Sequence, residues 1–182
     1  MEVPFDKLAQ SDLIVDCLYK GGPVNMAGEV LSKLLPGCSN AGGFRKVKCR
    51  NNKEKIAYVV LFTTMGKLEW PDYLDVESGV FRYYGDNRKP GKLLTDTQKK
   101  GNLLLEEVFG KLNSGRQTEI PPFLIFKKGS FGKDMEFLGL AAPGVSQLSP
   151  DRELVAFWRT LNGQRFQNYE AYFTVLNTGK PG

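Results

Sequence analysis

Residues 55 to 64 read KIAYVVLFTT, the longest nearly unbroken apolar stretch in a sequence otherwise divided into short segments. A run of this length, rich in β-branched and aromatic residues, reads as a buried central strand. Neighbouring segments have strand character too. In GGFRKVKCR (42–50), Phe44, Val47 and Cys49 are interrupted by Arg45, Lys46, Lys48 and Arg50. SDLIVDCLY (11–19), GVFRYYG (79–85), PFLIFKK (122–128), MEFLGLAA (135–142), ELVAFWRT (153–160) and QNYEAYFTVL (167–176) are further strand candidates. One segment is convincingly helical: in KGNLLLEEVFGKLNSG (100–115), Leu104, Val108 and Leu112 recur at a spacing of four and Gly115 ends the pattern. NMAGEVLSKLLPG (25–37) reads as a short helix closed by Pro36 and Gly37. The expected class is α+β and β-rich, a curved sheet or barrel flanked by one or two helices.

With 182 residues and 41% hydrophobic content, the chain is most simply one domain, residues 1–176, followed by a linker-like tail, NTGKPG (177–182). No apolar run approaches the ~20 residues of a membrane span, and MEVPFDKLAQSD lacks the layout of a signal peptide. The expectation is a cytoplasmic protein without a membrane partner. Three cysteines, Cys17, Cys38 and Cys49, match neither a zinc ribbon nor a CxxC motif and are expected to be reduced.

The sequence contains no histidine. That excludes His-based nucleophile activation, HNH-type metal chemistry and most transition-metal sites. Metal-dependent nuclease chemistry of the PD-(D/E)xK kind needs carboxylates on a strand and a lysine two residues after the second, and no (D/E)xK occurs. Gln98-Lys99-Lys100 is the nearest substitute, but it precedes the helical segment rather than lying in a strand. Phosphate-loop and dinucleotide glycine motifs are missing as well. No complete active site is legible, so no catalytic residue, metal site or cofactor is expected.

A different chemistry concentrates in LEWPDYLDVESGVFRYYGDN (68–87). Trp70, Tyr73, Tyr83 and Tyr84 share this segment with Asp72, Asp75 and Asp86. Basic clusters flank it: Arg45, Lys46, Lys48, Arg50, Lys53 and Lys55 on one side, Arg88, Lys89, Lys92, Lys99 and Lys100 on the other. Two solvated hairpin faces would account for the clusters. Phosphate contacts around a recessed base-reading site would account for both the clusters and the aromatic segment. A carboxylate facing nucleic acid repels phosphate but accepts from cytosine's exocyclic amino group, and aromatic rings would hold an extruded base at roughly 1–3 kcal/mol per stack.

The segment LEWPDYLDVESGVFRYYG resembles the base-holding segment of SET- and RING-associated (SRA) domains, PUA-like folds that flip 5-methylcytosine out of DNA. The resemblance implies that Trp70 is the first stacking aromatic, Asp72 the carboxylate that pairs with the amino group, Tyr83 the second aromatic, and Gly85 the closing glycine. GGFR is similar to the glycine-rich approach to DNA, which implicates Gly43, Arg45, Lys46 and Lys48. GNLLL is similar to the start of the family helix, which implicates Asn102. Arg88, Lys89 and Lys99 would contact the backbone. Two features depart from the pattern: Tyr84 stands where a threonine is usual, and two extra residues separate Asp75 from Gly79. Asp86 rivals Asp72 as the base-pairing carboxylate. Asp75 is a candidate cap for the turn before Gly79.

WPDYLDVESGVFRYYGDNRKPGKLL, KGNLLL, PPFLIF, FLGLAAPG and RFQNYEAYFTVL resemble, in order, the amino-terminal recognition domain of AspBHI-like, MspJI-family modification-dependent restriction endonucleases. That resemblance implies binding to 5-methylcytosine-containing duplex DNA, with Mg²⁺ needed only by a separate carboxy-terminal nuclease domain of the parent protein. A β-barrel RNA-binding module, and an assembly domain whose aromatics are all core, remain the alternatives from the residues themselves. On that last reading Trp70 and Tyr83 are core, as Trp158, Phe166, Tyr169, Tyr172 and Phe173 are mainly expected to be.

Overall fold

A computed structural model describes residues 1–176; the tail expected at 177–182 lies outside the described residues. In chain order the strands are β1 (Glu2–Val3), β2 (Leu18–Tyr19), β3 (Phe44–Lys48), β4 (Ile56–Thr63) and β5 (Tyr73–Asp75). They continue with β6 (Val80–Tyr84), β7 (Phe123–Lys128), β8 (Met135–Pro143), β9 (Leu154–Leu161) and β10 (Gln164–Val175). The α-helices are α1 (Val30–Leu34), α2 (Gly101–Asn113) and α3 (Pro150–Glu153). The class is α+β and β-rich, as the sequence predicts. No helix among the described residues is long and apolar enough to cross a membrane. Two compact units form: Met1–Met65 with Pro121–Ala141 and the described residues from Val175, and Gly66–Ile120 with Ala142–Thr174.

In the first unit β4 is central. It pairs antiparallel with β3, Phe44 opposite Leu61, and parallel with β7, Val59 opposite Phe123. Val59, Val60 and Leu61 are all fully buried, so both faces of the strand are covered, as its unbroken apolar run requires. The core includes Leu31 and Leu34 of α1 with Val47, Val60, Leu124 and Phe126 from the sheet. The strand expected at 11–19 shrinks to Leu18–Tyr19. Asp16 takes a left-handed φ of 65°, and the Tyr19 hydroxyl donates to the Asp12 carbonyl and accepts from the Ile14 amide, which folds the preceding segment into a loop.

Arg45 is the charged exception inside this unit. Only 3% of it is exposed. Its Nη1 donates to Glu29 Oε1 at 2.6 Å and to the Ser39 carbonyl at 2.8 Å, while Nε donates to the Gly42 carbonyl at 2.8 Å. The other oxygen of Glu29 accepts from the Ser32 amide at 2.9 Å, capping α1. One ion pair thus ties the helix start to β3. Arg45, which the resemblance implicates in the approach to DNA, is instead held inside the fold by these three acceptors.

The second unit is organised by β10, which pairs antiparallel with β6 (Tyr84 opposite Glu170) and with β9 (Trp158 opposite Gln167). Asp75 caps the β5–β6 turn: its carboxylate accepts from the Glu77 amide at 3.1 Å and the Ser78 hydroxyl at 2.8 Å. The β9–β10 turn is Asn162-Gly163, with φ of 51° and 77°, a pairing suited to a two-residue hairpin. Helix α2 buries Leu104, Leu105, Val108 and Phe109, sets Phe109 edge-on to Phe173, and is fastened by a 2.6 Å hydrogen bond from the Tyr169 hydroxyl to Glu106.

Removing one member of a buried ion pair strands the other, at a cost of about 3–5 kcal/mol. Arg45→Met is expected to lower stability by that order in urea denaturation, and adding Glu29→Met to recover a substantial part of it. A second expectation concerns alkaline pH. Burial pushes the Cys38 thiol up to about 11, whereas an unfolded cysteine titrates near ~8.5. The neutral thiol is favoured in the folded state, so this contribution is complete below the unfolded value and is lost as pH rises toward about 11. Denaturation midpoints should fall over that window, and less steeply in Cys38→Ala.

Candidate functional site

Successive residues of a strand point to opposite faces, and β6 uses this to separate its two tyrosines. Tyr83 is 1% exposed and packs with Phe81, at 5.6 Å between ring centroids, while Phe81 meets Phe173. It belongs to the face that carries α2. Tyr84 turns to the other face and meets Trp70 edge-on, at 5.9 Å and 62°. Phe157 stands 5.8 Å from Tyr84 and 6.1 Å from Trp70, and Phe166 completes the cluster. The partner of Trp70 is therefore Tyr84. The sequence expectation of Tyr83 in that place is corrected by strand alternation.

Trp70-Pro71-Asp72 is turned by one internal bond and clamped onto β6 by two further sets. The Asp72 amide donates back to the Trp70 carbonyl at 2.9 Å. Asp72 Oδ1 accepts from the Tyr84 amide at 2.9 Å, and the Pro71 carbonyl accepts from Arg82 Nη2 at 2.9 Å and Nε at 3.2 Å. Asp72 is 7% exposed, so its carboxylate is oriented by backbone in a largely desolvated place.

Three guanidiniums surround the rings. Arg159 lies 4.3 Å from the Trp70 centroid and donates to the Glu69 carbonyl. Arg88 lies 5.9 Å from Trp70 and donates to the Gly85 carbonyl at 3.1 Å, and Arg82 lies 5.9 Å from Tyr84. Glu170 sits opposite Tyr84 in the register and accepts from the Tyr172 hydroxyl. Burial, with Glu170 second, holds the Tyr84 phenol above its ordinary range and keeps it neutral. The arrangement covers buried rings with planar guanidiniums and concentrates positive charge beside them.

Asp86 is placed elsewhere. Its Oδ2 accepts from the Gly101 amide at 2.9 Å and the Thr97 hydroxyl at 2.8 Å, and its Oδ1 from the Asn102 amide at 3.0 Å. It caps the start of α2, where the helix dipole favours negative charge, and three donors replace the base-pairing role weighed for it. Asn102 is fully buried and bonds Asn168, the Leu94 carbonyl and the Asp86 amide. It too is part of the framework. Gly85 lies so close that a Cβ there would come within 1.8 Å of Asn102 Oδ1 and 2.5 Å of Asn168 Oδ1.

In the same unit Lys89 and Lys99 are exposed and Arg88 is half-buried beside the rings. In the first unit Gly43 and Lys46 are half-buried and Lys48 is exposed, as are Arg50, Lys53 and Lys55 around the β3–β4 turn. Sequence reasoning missed Arg82, Phe157, Arg159 and Glu170. Alternation from Tyr84 would have placed Arg82, and the Asn162-Gly163 turn would have folded Phe157 and Arg159 back onto β10. Trp158, expected in the core, is 57% exposed, because it lies on the face of β9 opposite Phe157. Among the described residues no cluster of three or more His, Cys, Asp or Glu is placed to hold a metal ion.

A family model described as Restriction endonuclease AspBHI N-terminal matches residues 13–180. The structure is similar to the DNA recognition domain of the cytosine modification-dependent restriction endonuclease LpnPI, with TM-score 0.91 and 40% identity over 97% of this chain and 79% of that one. It is similar to the DNA modification-dependent restriction endonuclease AspBHI, with TM-score 0.89 and 42% identity over 97% and 81%. The MspJI restriction endonuclease in complex with a 27-mer oligonucleotide shares the fold, with TM-score 0.53 and 21% identity over 76% and 32%. No curated protein matches the sequence. The SRA-like fold expected from the sequence is thus the fold of these recognition domains.

Removing the Asp86 carboxylate leaves the amides of Gly101 and Asn102 without their acceptor. Loss of such a cap costs about 0.5–2 kcal/mol. Asp86→Ala is expected to destabilise by that order in urea denaturation, with a similar loss from Thr97 and Asp86 changed together as from Asp86 alone. Gly85→Ala is expected to cost more, since buried amide groups must move apart to admit the methyl.

Proposed function

Because the chain belongs to the restriction endonuclease AspBHI N-terminal family, we propose that it is the DNA recognition module of a modification-dependent restriction endonuclease. It binds duplex DNA containing 5-methylcytosine, rotates the modified base out of the stack, and holds it on the Trp70–Tyr84 face with Asp72 accepting from the exocyclic amino group. The observation that carries this reading is the Trp70–Tyr84 pair ringed by Arg82, Arg88 and Arg159, with a backbone-oriented carboxylate beside it.

Energetics shape the details. Trp70 and Tyr84 meet edge to face, which leaves no parallel slot between them, and the indole face is covered by Arg159. The base therefore takes the place of a guanidinium on Trp70. Base–aromatic stacking is worth roughly 1–3 kcal/mol, and a cation–π contact about 0.5–2 kcal/mol. The exchange alone is nearly neutral. Net binding comes from what else changes: Arg159 is freed to meet a phosphate, and Asp72, a carboxylate with room for ~4 hydrogen bonds, gains the amino group. The methyl adds an apolar contact worth ~1–3 kcal/mol, enough to weaken binding of unmodified cytosine without abolishing it. Lys89 and Lys99 supply phosphate contacts. Cleavage, with its Mg²⁺, belongs to a nuclease domain outside this sequence.

The test is binding to one short duplex with and without a single 5-methylcytosine, at fixed near-physiological salt and in EDTA. Wild type should prefer the methylated duplex by roughly 5- to 100-fold. Trp70→Ala and Asp72→Asn should each erase most of that preference while retaining cooperative unfolding at the assay temperature. Equal, steeply salt-dependent binding to both duplexes by the wild type would reduce the basic residues to phosphate contacts and sink the proposal.

A further inference from the structure

The ladder between β10 and β6 runs only from Glu170 to Thr174, whereas that between β10 and β9 continues to Gln164 opposite Leu161. Beyond Tyr169, among the described residues, the hairpin is a two-stranded ribbon. An isolated ribbon is marginally stable, and one face of this one is anchored: Phe157 and Phe166 pack on Trp70 and Tyr84. The opposite face carries Trp158, Thr160, Arg165 and Gln167, because directly opposed residues share a face and the register pairs Trp158 with Gln167 and Thr160 with Arg165.

That face is not built as core. Trp158 is 57% exposed, Thr160 and Arg165 are exposed, and Gln167 is half-buried. The Arg165 guanidinium lies 4.7 Å from the Trp158 ring centroid. Stacking of this kind fixes the plane of the guanidinium and leaves its edge to face outward. Residues 154 to 169 contain two arginines and no carboxylate, so a polyanion can approach the ribbon without repulsion. A two-stranded ribbon has the width the major groove admits. Arginine bonds two atoms on the major-groove edge of guanine, O6 and N7, and glutamine two on that of adenine, N6 and N7. Two residues apart on one strand, Arg165 and Gln167 are spaced about 6.6 Å, close to two base-pair steps.

We propose that the β9–β10 ribbon enters the major groove beside the modified base and reads the flanking sequence, with Arg165 selecting guanine, Gln167 selecting adenine, and Trp158 holding the Arg165 fork in plane. This rests on the DNA-binding reading above and adds the origin of sequence context. Trp158 is a positioning residue; Arg165 and Gln167 are the base-contacting ones.

The experiment is a binding selection with the full chain on a pool of duplexes, each carrying one central 5-methylcytosine within randomised flanks, and a matched pool with cytosine. Wild type should enrich guanine at one flanking position and adenine at another. Arg165→Ala should flatten the guanine position, on the order of 10-fold in relative binding, and leave the preference for 5-methylcytosine intact. Gln167→Ala should do the same at the adenine position. Trp158→Ala should blur the guanine position while Trp158→Phe restores it, a rescue that a lost packing contact on an exposed face would not show. A featureless wild-type flank profile, or profiles unchanged in both Arg165→Ala and Gln167→Ala, overturns the ribbon inference whatever the methyl preference. Loss of methyl preference in the wild type, with the flank profile still responding to Arg165, overturns the base-holding site and leaves the ribbon standing.

Discussion

A buried network of amides around Gly85 holds the second unit in register. Asn168 on β10 donates to the Gly85 carbonyl at 3.0 Å, and its Oδ1 accepts from the Asn87 amide at 3.2 Å and Asn102 Nδ2 at 2.9 Å. Asn87 in turn donates to the Gln167 carbonyl at 2.7 Å. Strand β10, the chain leaving β6 and the start of α2 thus meet through side chains that satisfy one another, which is the condition for burying polar groups at all. Alanine at Gly85 would not fit, because its methyl would meet Asn102 and Asn168 within this junction.

Much of the fold is legible in the sequence because its signals are local. The apolar run at β4, the spacing of Leu104, Val108 and Leu112 in α2, and the turn chemistry of Asp75 before Gly79 all act within a few residues. The site is less legible because it is assembled by choices of face. Tyr83 and Tyr84 are adjacent in sequence and chemically alike, and only the register of β6 against β10 decides which one meets Trp70. Arg45, Asp86 and Asn102 mark the same limit from another side. Their types suit phosphate or base contact as well as they suit an ion pair, a helix cap and a buried amide network, and partners far along the chain make the choice.

Rings and guanidiniums on one face solve a problem common to aromatic clusters near a protein surface. Bare aromatic surface invites nonspecific association. Here Trp70 is only 6% exposed, covered by Arg159 from β9 and neighboured by Arg88 from the loop after β6. The cover is itself planar and positively charged, so the groups that shield the indole also give this face its positive field.

The same three guanidiniums have a consequence for how such a module senses its surroundings. Arginine does not release its proton in proteins, the chain has no histidine, and burial keeps the Tyr84 phenol neutral well past neutrality. Alkalinisation within the range a cell experiences therefore leaves that phenol uncharged. Ionic strength acts on the same face, because counterions compete with any approaching anion for its guanidiniums, so the reach of that positive field is set by the surrounding salt.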